Sequence, residues 1–264
     1  MTDILDIEII RLISAYIFVL ILMGIVKYNN IGQEKQIILA TIRMTIQLIL
    51  VGFILTYIFE YPNPFITILV ILIMEIFAIF NIYSRVEGNI SYSFKKIIAL
   101  SMMGGTLVSI FYFLLIVVNL DPWYLPQYFI PICGMLIGNS MTGISLGVEG
   151  LKTGINDNIP MIENALMLGA RPEAATKKII NHAFYNAILP TLNSMIGMGI
   201  IFLPGMMTGQ ILAGSPPLTA IKYQIAIMMG ILGSVTLTVY LMVKLGIKTF
   251  FNEREQLKID QEEV

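Results

Sequence analysis

Apolar runs of about twenty residues recur along the whole chain and constrain its fold more than any other feature. A run of that length crosses the hydrocarbon of a bilayer as one helix. Seven are legible, at residues 7–26, 37–59, 65–83, 97–118, 129–148, 183–203 and 221–243. In hydrocarbon a backbone must satisfy its own hydrogen bonds, so uninterrupted apolar runs read as helices. The expected fold is an all-α integral membrane protein with seven transmembrane helices in a single domain, 1–264. Composition agrees, with 57% hydrophobic and 12% charged residues among 264 and a mean hydropathy of +0.83. That is about half the charge of a soluble domain.

Charge in the connections orients the spans. The segments at the N-terminus, near 61–64 and at 119–127 carry no Lys or Arg, apart from Arg11 just inside the first run. The alternate segments carry Lys27 and Lys35; Arg85, Lys95 and Lys96; Lys152, Arg171, Lys177 and Lys178; and Lys244, Lys248, Arg254 and Lys258. The positive-inside rule then puts the N-terminus outside and the C-terminus in the cytoplasm, with a cytoplasmic tail over 244–264. Trp123, Tyr124 and Tyr128 cluster at the outer boundary as an aromatic belt would. The start, MTDILDIEII, is acidic where a cleavable signal peptide would be basic. A net charge of −1 argues against a nucleic-acid partner, and the single cysteine, Cys133, excludes an internal disulfide. The expected location is the cell membrane.

The segment at 159–181 is the only long one that is neither solidly apolar nor terminal, and it lies in a cytoplasmic loop, 149–182. Pro160 is placed to open a short helix, Gly169 to close it in a left-handed turn, and Pro172 to start another. Ile162, Leu166 and Gly169 fall on one side and Glu163 on the other flank. A short polar helix at a membrane face, interrupting apolar spans, reads as a docking element.

Polar side chains inside the runs cost free energy and face protein or a water-filled path. Arg43 and Gln47, four apart, share one face of the second run; Arg43 can also snorkel to the cytoplasmic boundary. Glu75, deep in ILIMEIFAIFN, must be paired, with Arg43 for example, or protonated, or wet. The segments Gly134-Met135-x-x-Gly138-Asn139 and Gly205-Met206-x-x-Gly209-Gln210 echo each other. Glycines four apart let helix backbones approach. Alternatively the two segments line a pathway that presents Met135, Asn139, Met206 and Gln210 to a cation, since thioethers suit soft metals. Glu75 and Met206 are the candidate metal-contacting residues. The breakers in 204–217 favour a re-entrant or broken helix there.

Missing motifs bear on the reaction class. The chain has no G-x-x-x-x-G-K-[ST] phosphate loop and no H-E-x-x-H, and its lone histidine, His182, sits at a membrane boundary. No catalytic constellation is visible, so an enzyme is not expected.

Glu163-Asn164-Ala165, three residues and then Gly169 resembles the E-A-A-x-x-x-G loop of ABC-transporter permeases, with Asn164 in place of one alanine. The Leu-Pro that importers place soon after the glycine arrives late, at Leu189-Pro190. Three longer phrases are more specific: IPICGMLIGNSMTG (130–143), ENALMLGA (163–170) and LPGMMTGQILAGSPPLTAIKYQI (203–225). They resemble the permeases of bacterial Fet-type iron exporters and of plant aluminium tolerance, over about 37–243. The resemblance implies a permease that pairs with itself and with a separate ATP-binding subunit, which carries ATP and Mg; no cofactor is held by this chain. It implies that Glu163, Ala165, Leu166, Gly169 and Arg171 couple to that ATPase. Cargo stays open between a metal cation such as iron and a solute such as a sugar nucleotide. An ATP-independent transporter or channel, with Glu75 as proton relay, is the alternative of a different class.

Overall fold

Proline and capping side chains set where the helices begin. Pro64, Pro126, Pro160, Pro172 and Pro217 each stand in the first turn of a helix, where the missing N–H leaves nothing unpaired. Asn63 Oδ1 accepts from the Phe65 N–H at 2.9 Å and Ser91 Oγ from the Phe94 N–H at 3.2 Å, each filling an otherwise orphaned donor.

The computed structural model describes residues 7–86 and 91–258, and the chain there is helical. In order come α1 (Ile9–Ser14), α2 (Ile17–Tyr28), α3 (Glu34–Glu60), α4 (Pro64–Arg85), α5 (Tyr92–Tyr112), α6 (Pro126–Asn156), α7 (Ile159–Met167), α8 (Pro172–Ala175), α9 (Lys177–Gly197), α10 (Gly205–Leu212) and α11 (Pro217–Gly246). A π-helical turn, Phe113–Val118, continues α5, and a 3-10 turn, Ile247–Phe250, continues α11. Among the described residues, six stretches are long and apolar enough to cross a membrane: Ile9–Tyr28, Glu34–Glu60, Pro64–Arg85, Tyr92–Val118, Pro126–Asn156 and Pro217–Phe250. The chain is a multi-pass membrane protein.

The remaining expected span, 183–203, takes a different form. Its helix, α9, begins earlier, at Lys177, and ends at Gly197, so residues 198–203 are not α-helical. Glycine is the cause: Met198 turns extended and Gly199 sits at φ +84°, donating its N–H to the Phe202 carbonyl at 2.9 Å. α9 also carries Lys177, Lys178, Asn181, His182, Asn186 and Asn193, which lower its apolarity below that of the six. The breakers in 204–217 yield the eight-residue α10, about 12 Å long and too short to span. At the other polar loop, α6 runs on to Asn156, so residues 149–156 are helix.

α6 is the central helix, packed against α9, α11, α4 and α5. Glycines on it let its neighbours come close. A Cβ added at Gly143 would meet Val235 Cγ1 of α11 at 2.8 Å, and one at Gly147 the Met242 methyl at 2.6 Å. At Gly150 it would meet Ala183 Cα of α9 at 3.1 Å, and at Gly154 Ile179 Cγ2 at 2.6 Å. Such small-residue seams substitute dispersion contact for the hydrophobic drive that lipid removes. The glycine echo is therefore only partly a packing motif. Gly143 is at such a contact, whereas Gly138, Gly205, Gly209 and Gly214 have nothing within 4 Å.

α2 and α3 form a peripheral pair joined by Tyr16 hydroxyl and Thr45 Oγ1 at 2.7 Å. Val26 is the one buried residue of α2 and Ile58 the one of α3.

Candidate functional site

The expected docking residues assemble into one short helix and its cap. Ile162 anchors α7 in the core, fully buried, and Leu166 packs half-buried on the same core. The helix then stops in a Schellman motif: the Gly169 N–H bonds the Leu166 carbonyl at 2.9 Å and the Ala170 N–H the Ala165 carbonyl at 3.0 Å. That geometry needs a left-handed residue, and Gly169 supplies it at φ +86°. Pro172 opens α8 as expected. Because the cap turns the chain back, Met167 and Leu168 are left 82% and 89% exposed at its tip. Glu163 is half-buried and Arg171 exposed.

The intramembrane acid lies in a second place. Glu75, on α4, is 1% exposed, and the Thr106 hydroxyl of α5 donates to one of its carboxyl oxygens. Thr106 Oγ1 also lies 2.6 Å from the Met102 carbonyl. One hydroxyl carries one proton, so these two acceptors compete for it. The second carboxyl oxygen, Oε2, is buried without a hydrogen-bond partner among the described residues, as is Ser101 Oγ on α5. Cys133 of α6 is buried as well.

The pairing of Glu75 with Arg43 that the sequence allowed is not made. Arg43 and Gln47 lie on the exposed surface of α3, and the Arg43 guanidinium carbon sits 4.9 Å from the centre of the Phe77 ring. Facing a ring lets that cation stay outside the bundle. Met135 is half-buried on α6, where its carbonyl accepts from the exposed Asn139 amide at 2.8 Å. Met206 and Gln210 lie on α10, which packs on α11 rather than beside Glu75. Among the described residues Gln210 Oε1 is buried without a hydrogen-bond partner; so is Oε1 of Gln224 on α11, whose Nε2 reaches Met198 Sδ at 3.7 Å.

Sequence reasoning missed Thr106, Ser101 and Gln224. Thr106 follows Gly104-Gly105 in an otherwise apolar run, a signal of close packing that could have drawn attention to it. Among the described residues no group of three or more His, Cys, Asp or Glu is placed to hold a metal ion.

The family model described as "Uncharacterised protein family (UPF0014)" matches residues 9–251. The chain belongs to the UPF0014 family. Its relatives include the Protein ALUMINUM SENSITIVE 3 of Arabidopsis thaliana, 35% identical over 246 residues, covering 93% of this chain and 88% of that one. The Probable iron export permease protein FetB of Escherichia coli is 31% identical over 247 residues, 94% of this chain and 93% of the relative. The UPF0014 membrane protein YjkA of Bacillus subtilis is 34% identical over 242 residues, 92% and 95% of the two. No solved structure matches. The resemblance to iron-export and aluminium-tolerance permeases read from the three sequence phrases thus holds across the UPF0014 match.

Proposed function

We propose that this chain is the permease subunit of an ATP-driven exporter of a metal cation such as iron, working by alternating access. In this reading α7 is a coupling helix that rests on a separate ATP-binding subunit, and the permease works as a homodimer in the cell membrane. α9 counts as a seventh span, which leaves the N-terminus outside and the α7 loop in the cytoplasm. The observation that carries the proposal is the Schellman-capped α7, anchored by Ile162 and holding Met167 and Leu168 outward. Two apolar side chains this exposed, on a rigid tip outside the long apolar spans, form a knob suited to a groove on a partner. The metal cargo is supported by the iron-export relative and by the soft and amide donors on α6, α10 and α11.

Closure of the ATPase dimer would push α7, and α6 with it, between two states; cargo biases these only through its differential affinity for them. Glu75 belongs to this pathway as the buried carboxyl with an unfilled oxygen. That same oxygen favours a second reading, an ATP-independent transporter with Glu75 as a proton relay. Affinity purification of the full chain from native membranes separates the two. Stoichiometric recovery of a subunit with a phosphate loop, and ATP-dependent efflux of iron from loaded vesicles, support the exporter. A chain that purifies alone and transports without ATP refutes it.

A further inference from the structure

At the end of the apolar stretch Pro217–Phe250, a groove of about 500 Å³ opens between α9 and the last turns of α11. Val243 and Ile247, both 2% exposed, line it from α11 and the turn that follows, and Phe184 lines it from α9. Its polar groups are Glu173, Asn181, Tyr240, Lys244 and Lys248. Tyr240, Lys244 and Lys248 recur every four residues and so share a face. Lys244 Nζ donates to the Tyr240 hydroxyl at 3.0 Å and lies 5.2 Å from the centre of that ring, which leaves the phenol its own proton to donate. Asn181 adds an amide from α9. Both lysines are exposed, and among the described residues neither forms an ion pair. Among the described residues Glu173 of α8 is the one acid lining the groove, so two lysines and one glutamate leave a net charge of +1 there.

We propose that this groove binds an anionic glycerophospholipid, with an acyl chain against Val243, Ile247 and Phe184 and the phosphate at Lys244 and Lys248. Three features favour that occupant. The apolar floor lies next to cationic donors, as a headgroup joined to a chain requires. The lysines stand where an apolar span ends, the depth of the headgroup layer. The rim charge of +1 matches one phosphodiester. None of its lining residues lies on α7 or belongs to the Glu75–Thr106 pair, and it depends only on the chain crossing a membrane.

The test uses the full chain, delipidated and returned to nanodiscs of phosphatidylcholine containing phosphatidylglycerol, with retained lipid read by native mass spectrometry. Two surface lysines predict a preference for phosphatidylglycerol of roughly tenfold or more. The paired substitution Lys244→Gln and Lys248→Gln abolishes that preference, whereas Glu173→Gln strengthens it by removing a repulsive charge; a merely structural role for these exposed residues would give neither shift. Equal retention of the two lipids by the parent chain overturns the proposal, as does a preference that survives the loss of both lysines. Cross-linking of two copies through Phe184→Cys would assign the groove to a subunit interface and overturn it as well.

Discussion

Changing Met167 and Leu168 together to serine separates docking from folding, because the two side chains are 82% and 89% exposed. Side chains that exposed contribute almost nothing to the fold, so stability should change by no more than about 0.5 kcal/mol. Burying a Met or Leu side chain in a partner's groove stabilises by about 1.5–3 kcal/mol each. Losing both should therefore weaken docking by about 3 kcal/mol or more, a loss of over a hundredfold in affinity. Ile162→Ala, at the buried foot of the same helix, should instead destabilise the chain by about 2–5 kcal/mol. The assay titrates the co-purifying ATP-binding subunit onto the nanodisc-embedded chain, with thermal unfolding measured on the same samples. Unchanged affinity and unchanged ATPase stimulation in the double serine variant would show that α7 is only a loop.

Gly169 at φ +86° has nothing within 4 Å, so Gly169→Val carries a backbone cost alone, about 1–2 kcal/mol for a left-handed residue. Membrane insertion should be intact and transport-coupled ATP hydrolysis reduced; parental rates of both hydrolysis and transport would exclude the coupling role. In α5, a Cβ at Gly105 would lie 2.9 Å from Thr238 Cα, whereas Gly104 has open space. Gly105→Ala should cost about 1–3 kcal/mol and lower the Tm in detergent, while Gly104→Ala leaves it near the parent value. Thr106→Val removes the hydroxyl that donates to the buried Glu75 and should cost about 1–3 kcal/mol. Glu75→Gln keeps the side-chain shape and should leave the yield of folded protein unchanged while lowering transport; parental transport would remove Glu75 from the pathway.

Local rules were the legible part of this chain. Pro160, Gly169 and Pro172 each fix their own backbone angles, so α7, its cap and the start of α8 could be read without knowing any distant neighbour. Span positions were legible for the same reason, since length and apolarity are local sums. The limit of α9 was not, because Gly197, Met198 and Gly199 sit in an apolar run whose hydropathy hides the break. Contacts between helices were less legible still. Thr106 lies 31 residues from Glu75, and nothing in either run announces that they meet. Arg43 was a plausible partner by sign of charge, yet α3 lies at the edge and offers it the face of Phe77 instead. The α10 segment read correctly as broken. Its apparent kinship with 134–139 concealed a different use of glycine, a left-handed turn at Gly214, φ +94°, in place of a close contact.

The seam of Gly143, Gly147, Gly150 and Gly154 has a mechanical consequence. At these four positions atoms of α9 and α11 occupy the space a Cβ would take, so α6 cannot slide far past them without first separating from them. A shift of α6 along its axis would therefore have to carry α9 and α11 with it or break those contacts. α6 is 31 residues long, about 46 Å, and α7 follows it after two residues. A push on α7 would thus be handed first to α6 and, through its glycine contacts, on to α9 and α11.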